Sequence, residues 1–342
     1  MNEKNAIFST TANSLVDGMD RRKVLLGGIA VAGALAMPAI VRAQSTPKIR
    51  IGFWPVASGL PFFAAVDQGY FKAAGLDVEV QKHASAQQAM EAMLSGRAEG
   101  SANGVATAVL AVGEIAQPGL MKIFCSNPSN AKYVLDEFIV AKDSPLQSVA
   151  DLKGTRIACG PGIQNLTIAR SILEKAGVAD AKVTELPIAQ HVAAIATDQV
   201  DAIYTLEPTG TVGRLNGVSR VLEAGVVAKY LLGDPMAPWF GGSATLTSTF
   251  IQEHPDVAKQ FMEAYRRGVT LLKTDPAKAR PSLKGYTAID GALTDEVPMN
   301  DYVFYDEFTP EQIAYFQKYF DLFTEKGIFS KKLSVESMLY KA

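Results

Sequence analysis

From residue 48 onward, apolar positions alternate between a strand period and a helix period. Lys48 to Phe53 is a short apolar run that reads as a strand. Pro61 suits the first position of a helix and Gly75 the left-handed residue that ends one, with Phe62, Ala65, Val66 and Tyr70 forming a stripe between them. Leu76 to Val80 alternates as a half-buried strand does. Ser85 and Gln88 form a capping box for a helix that closes at Gly96. Ala98 to Asn103 leads into a further helix, Gly104 to Val112, and Met121 to Phe124 reads as a strand. Repeated strand–helix units of this kind predict a mostly parallel sheet with right-handed crossovers.

The pattern restarts after Tyr133–Lys142. Asp151 to Gly154 is a turn and Thr155 to Cys159 a strand, and the helix opened by Gly160-Pro161-Gly162 stops at Gly177. Lys182–Leu186 and Asp201–Tyr204 are further strands, with His191 early in the helix between them. The remainder reads as more helical. Pro255 opens a long helix with Val257, Phe261, Tyr265 and Val269 on one face. Thr309, Pro310 and Gln312 cap a last helix, whose Ile313, Phe316, Phe320 and Phe323 repeat at three-to-four spacing before Gly327. That aromatic stripe is expected to be core, packed on the first lobe. The predicted organisation is two α/β lobes: 47–135 with 246–342 as lobe one, and 136–245 inserted as lobe two. Two crossings make a hinge, and the space between the lobes is a natural ligand cleft.

The first 43 residues are a separate object. Arg21-Arg22-Lys23 precedes an apolar run, Val24 to Val41, that ends in Val41-Arg42-Ala43. This is the three-part design of an export signal, and the arginine pair is similar to the twin-arginine class, with Asp20 and Val24 departing from its usual pattern. The small residues before the end of Ala43 predict cleavage there; left uncleaved, the run would be a weakly hydrophobic anchor. The whole chain carries 33 basic and 35 acidic residues. Five basic and three acidic ones lie in the signal, so the 299 residues after Ala43 keep 28 and 32, a formal charge of −4. Such a chain has no basic excess for nucleic acid or anionic lipid. It reads as a monomer. Cys125 and Cys159 sit in apolar runs of different lobes and read as buried thiols, although an oxidising compartment permits a disulfide. The three histidines have no paired ligand spacing, so neither a metal nor a cofactor is expected.

Candidate chemistry concentrates in four turn-rich segments, each following a strand and opening a helix. The ends of strands in an open α/β sheet are where ligands sit, and helix N-termini there offer free N–H groups. The first segment contributes Trp54, Ser58, Gly59 and Leu60, and the second Asn103, Gly104, Val105 and Thr107. The third contributes Gly160, Gly162, Gln164 and Asn165, and the fourth Thr205 and Glu207. Asn165 and Thr107 are expected to donate from opposite lobes. Trp54, Tyr204, Trp239 and Phe240 are candidates for stacking on an organic ligand. Lys82, His83 and His191 lie near the cleft, with a surface position or a helix cap as the alternative for each histidine. No Arg or Lys falls inside the four loops. Glu207 facing the ligand would argue against a bare dianion and for a ligand with an N–H or hydroxyl group; its alternative role is capping the helix after Pro208.

Gly52-Phe53-Trp54-Pro55, Gly59-Leu60-Pro61-Phe62-Phe63-Ala64-Ala65, Gly69-Tyr70-Phe71 and Gly75-Leu76-Asp77-Val78 together resemble the opening of the nitrate/sulfonate/taurine group of ABC-transporter solute-binding proteins. Asp151-Leu152-Lys153-Gly154 and Gln199-Val200-Asp201-Ala202 resemble that group's second-lobe signatures. The resemblance implies a periplasmic-binding-protein fold of type II, with two α/β lobes joined by crossing hinge strands and closing on ligand. It implies a periplasmic location, a membrane permease as partner, and a small organic anion as ligand, a sulfonate or carboxylate with or without an aromatic portion. A thiamine-pyrimidine precursor or another neutral or amine solute is the alternative ligand, and a sensory binding protein the alternative role. An enzyme resembling the pyrimidine synthases would need a cysteine-rich motif that the chain lacks, and no Gly-x-Ser-x-Gly elbow occurs.

Overall fold

The computed structural model describes residues 46–178 and 181–342; the export signal read over residues 1–43 lies outside them. The strands are β1 (Lys48–Phe53), β2 (Asp77–Lys82), β3 (Gly100–Ser101), β4 (Met121–Ser129), β5 (Asp136–Ala141), β6 (Ile157–Cys159), β7 (Val183–Glu185), β8 (Ala202–Leu206), β9 (Ser219–Ala224), β10 (Trp239–Thr247) and β11 (Val303–Phe304). The helices are α1 (Leu60–Asp67), α2 (Tyr70–Ala73), α3 (Ala86–Leu94), α4 (Thr107–Ala116), α5 (Ile163–Lys175), α6 (His191–Ala196), α7 (Thr209–Leu215), α8 (Ser248–Glu253), α9 (Pro255–Thr274), α10 (Pro276–Ala279), α11 (Pro310–Glu325) and α12 (Val335–Met338). They surround two sheets, one ordered β11-β4-β10-β3-β1-β2 and the other β7-β6-β8-β5-β9. Within the first, β1 pairs in parallel with β2 and β3, so their carboxyl ends share one edge. Within the second, β6 runs parallel to β7 and β8 in the same way. No helix among the described residues is long and apolar enough to cross a membrane.

The chain leaves the first sheet after β4 and re-enters it at β10. These two strands pair antiparallel, from Met121 opposite Thr247 to Ser129 opposite Trp239, so β4 carries the chain out of the first sheet and β10 brings it back. The return therefore falls before residue 239 rather than at 245, the boundary read from sequence. All nine residues of β10 are buried, so the strand has no polar face and no alternation to announce it. The helix expected from Pro61 is likewise divided. Gly69 takes φ +69°, which a helix interior does not allow, and α1 and α2 form on either side of it.

Apolar burial explains both cores. In lobe one, Phe71 stacks on Phe261 at 4.9 Å between ring centres, and Phe124 meets Tyr265 edge-on at 5.1 Å, which seats the apolar face of α9 on β4. Such pairs add about 0.5–1.5 kcal/mol each beyond their area. The aromatic stripe of α11, expected against lobe one, packs on β10 of the first sheet and reaches across the crossing to the second lobe as well. Phe316 stacks on Phe240 of β10 at 4.7 Å. Lys318 donates to the Leu232 carbonyl (2.6 Å), in the π-helical segment Val227–Leu232 that follows β9. Apolar matching chose that seat: Tyr319, Phe320 and Phe323 join a core that includes Phe138, Tyr204 and Val227 of the second lobe. Cys125 and Cys159 are free and buried.

Candidate functional site

The loops after β1, β3, β6 and β8 converge where the two sheets present their carboxyl edges, and they are in direct contact. The Ala57 N–H donates to the Glu207 carbonyl at 2.8 Å, joining the first loop of lobe one to the last loop of lobe two. Gln164, near the start of α5, accepts from the Ala108 N–H (2.8 Å) and donates to the Gly241 carbonyl (3.1 Å). One side chain thus ties α4 and β10 to the second lobe. Trp54 lies over Gly160, where an added Cβ would sit 3.6 Å from the indole edge. On the rim, Arg214 of α7 pairs with Glu296 (3.2 Å) and Lys326 with Glu174 of α5 (2.5 Å). Exposed pairs of this kind add little. The closed arrangement hides its lining: Trp54, Tyr204 and Trp239 are each 1% exposed, and Ser58, Asn103, Thr107, Gln164, Asn165, Thr205 and Glu207 are buried.

Burial of a polar side chain calls for a partner, and the partners divide the candidates into two groups. Several are engaged locally. Asn103 exchanges two bonds with Tyr265: its N–H donates to the phenol oxygen (3.1 Å) and its Oδ1 accepts from the hydroxyl (2.7 Å). Thr107 Oγ1 lies 2.9 Å from Ser243 Oγ. The Asn165 amide donates to the Pro161 carbonyl (2.9 Å), one turn back. Thr107 and Asn165, expected to donate toward a ligand from opposite lobes, each hold a partner within their own lobe. The backbone donors are spent as well: Gly162 N–H donates to Glu185 Oε1 (2.7 Å), and Gln164 covers Ala108. α4 begins at Thr107 rather than at Gly104, which holds φ +93° outside the helix.

His191 is settled by its neighbours. Its Nε2 lies 3.0 Å from the Leu186 carbonyl, which only accepts, so Nε2 carries the proton and Nδ1 accepts from the Thr205 hydroxyl at 2.8 Å. Burial lowers its pKa to about 4, so the ring is neutral at ordinary pH. His83 is half-buried against Gly52, where burial and Arg97 depress its pKa, and its Nε2 has no partner. Gly59, Leu60, Gly104 and Val105 line the loops through their backbone and apolar surface.

The second group has polar atoms that complete no hydrogen bond: Ser58 Oγ, Trp54 Nε1, His83 Nε2, Tyr204 OH, Asn127 Oδ1, Asp136 Oδ1 and Glu137 Oε1, with Trp239 Nε1 and Tyr319 OH close enough to each other only for a weak contact. The Ser58 hydroxyl lies 3.1 Å from where a Cβ on Gly104 would stand, a place that Val56 would crowd at 2.7 Å. Three carboxyl groups stand at the same end of the second sheet. Asp136 and Glu137 start β5, opposite Leu206 and Thr205. Glu207 accepts from the Thr211 N–H (3.2 Å) and hydroxyl (3.1 Å) at the first turn of α7, while Glu137 packs on Gly210 so tightly that a Cβ there would fall 1.8 Å from Oε1. Burial raises the pKa of Asp136 and of Glu207 to about 7 each; it raises Glu137 too, reinforced by the charge of Glu207. Asn127, Asp136, Glu137 and Tyr319 escaped the sequence reading. The one visible signal was a pair of carboxylates inside the apolar run Leu135–Val140.

A groove of about 680 Å³ lies elsewhere, between α5 and the 326–328 turn. It shares only Ile163 with the neighbourhood of the four loops and is open to solvent, so the chemistry favours the closed contact between lobes. Among the described residues, no group of three His, Cys, Asp or Glu side chains is arranged to hold a metal.

Residues 57–279 match the family described as NMT1/THI5 like. Among solved structures, the alkanesulfonate-binding protein SsuA from Xanthomonas axonopodis pv. citri, bound to MOPS, superposes with a TM-score of 0.70 at 21% identity, over 87% of this chain and 99% of its own. The periplasmic aliphatic sulphonate binding protein SsuA from Escherichia coli gives 0.68 at 19% identity, over 86% and 98%. The periplasmic nitrate-binding protein NrtA from Synechocystis PCC 6803 gives 0.57 at 17% identity, over 72% and 69%. No curated protein sequence matches the chain. The two-lobed α/β fold expected from the sequence is the fold of these periplasmic binding proteins, and the resemblance to the nitrate/sulfonate/taurine group holds.

Proposed function

Because the chain belongs to the NMT1/THI5-like family, we propose that it is the solute-binding component of an ABC importer, acting in the periplasm and delivering a small organic solute to a membrane permease. One observation carries this reading above the rest. Two lobes joined by the antiparallel pair β4 and β10 are shut by Gln164 and by the Ala57–Glu207 bond, around polar atoms of both lobes that have no protein partner. A protein that captures by closure needs these features: a two-strand hinge, contacts that exist only when shut, and unused hydrogen-bonding capacity inside. Trp54 and Trp239 supply apolar surface for the carbon part of the solute, and Ser58, Asn127 and the carboxyl groups supply polar contacts.

The ligands named for the neighbours, alkanesulfonates and nitrate, favour a small organic anion. The carboxyl groups at the end of the second sheet favour a solute with N–H or hydroxyl groups. A thermal-shift screen over sulfonates, carboxylates, amines and amino-substituted heterocycles tests the reading itself. A true ligand at a hundredfold excess over its Kd adds about 2.7 kcal/mol. A panel in which nothing raises the melting temperature would overturn it.

A further inference from the structure

Resting on the cleft being a solute site, we propose that it selects an organic solute bearing a cationic N–H donor, a protonated amine or amidine, over sulfonates and carboxylates. Glu137 and Glu207 are 1% and 2% exposed and meet at the first turn of α7. No Lys or Arg side chain is buried among the described residues. The nearest cation, Arg214, is on the outer part of α7 and is engaged by Glu296 at the surface. Burying an ionised carboxylate without a counter-charge is costly, and two side by side are costlier still, which is why both resist ionisation. An anionic ligand would make ionisation of either group costlier still, whereas a cation would relieve that cost.

A second observation points to a ligand rather than to a merely structural acid pair. Glu137 Oε1 completes no hydrogen bond in the folded chain, and the one donor close to its carboxylate is the Gly210 N–H. On the opposing loop, whose Ala57 N–H sits on the Glu207 carbonyl, Ser58 Oγ and Trp54 Nε1 are also buried and unpartnered. An ammonium or amidinium group would give Glu137 a further donor and let the pair ionise with a counter-charge present. A charge-assisted bond of this type is about twice as strong as a neutral one. The anion cradles that a sulfonate would use, the N–H groups of Ala108 and Gly162, are already taken by Gln164 and Glu185.

The test is calorimetric titration of the full chain at pH 7.5 with matched probes: aliphatic and aromatic amines and amidines against sulfonates and carboxylates on the same carbon skeletons. Amines or amidines should bind, with affinity falling at least tenfold in Glu207→Gln and in Glu137→Gln, both nearly isosteric. Circular dichroism melts of the two variants check that they remain folded. Binding of a sulfonate or carboxylate with no amine bound overturns the charge selectivity and leaves the solute-binding reading standing. Amine binding that is unchanged in both folded variants overturns the role of the acid pair. Binding of no probe at all overturns the inference and takes the solute-binding reading with it.

Discussion

Replacing Asp136 by Asn should make the protein more stable at pH 8 and change it little at pH 4. Asp136 begins β5, is 1% exposed, and accepts from the Val227 N–H at 2.8 Å through Oδ2, while Oδ1 has no partner. Burial raises its pKa from 3.8 to about 7. A carboxyl whose folded-state pKa is raised holds its proton more tightly when folded. Its contribution is fully present below about pH 4, declines as pH rises through about 7, and is flat beyond. A gap of about three pH units corresponds to about 4 kcal/mol, at 1.36 kcal/mol per unit. Asn resembles the protonated form and can still accept from Val227 through its carbonyl oxygen. Allowing about 1 kcal/mol for imperfect replacement of hydrogen bonds, the variant should gain about 3 kcal/mol at pH 8. Urea unfolding of both proteins, followed by far-ultraviolet circular dichroism from pH 4 to 9, reads this directly. The difference between the two curves reads Asp136 together with its charge effect on Glu137, while Glu207 and His191 titrate in both. Parallel profiles across that range, or an Asn variant less stable at pH 8, would refute the reasoning.

Gln164→Ala removes both bonds that bind α5 to α4 and β10, each worth about 1 kcal/mol, and leaves the buried Ala108 N–H bare; small-angle scattering should show a larger radius of gyration than wild type, and an unchanged profile would mean closure is held elsewhere. Gly210→Ala places a Cβ 1.8 Å from Glu137 Oε1, so the variant should lose at least about 2 kcal/mol in urea unfolding, while Gly154→Ala, which meets nothing within 4 Å, should lose only the cost of its left-handed backbone, about 1 kcal/mol. The His191 pKa is lowered to about 4, and a base depressed in this way contributes stability above about pH 6.5 that is lost as pH falls toward 4; in nuclear magnetic resonance its ring protons should therefore not titrate between pH 6 and 8, and a midpoint near 6.5 would contradict its burial. Lys at both Arg21 and Arg22 should leave unprocessed precursor in the cytoplasm if the twin-arginine route exports the chain, and normal periplasmic accumulation would rule that route out.

Local pattern was enough to determine most of the elements. The strands β1, β2, β6, β7 and β8 and the helices α3, α5, α9 and α11 follow from periodicity, Pro and Gly stops and capping residues. Thr309 and Gln312 form the reciprocal cap that their spacing predicts. The four strand-end loops were also legible, because a strand, a glycine-bearing turn and a helix in succession announce the edge where α/β sheets bind ligands. Three things required the tertiary structure, each for a stated reason. The sheet to which β10 belongs depends on long-range antiparallel pairing with β4, and a strand buried on both faces carries no period that reveals it. The seat of α11 depends on which apolar surface meets Phe316 and Phe320, and the stripe looks the same whichever lobe receives it. The chemistry of the cleft depends on partners distant in sequence. Asn103, Thr107 and Asn165 read as free hydrogen-bonding groups until Tyr265, Ser243 and Pro161 engage them. Glu137 reads as an ordinary strand residue until α7 closes over it and leaves one of its oxygens unpaired. Residue types and spacing announced a cleft; which polar atoms in it remain free is a property of the packed whole, because a hydrogen bond is satisfied by proximity in space and not along the chain.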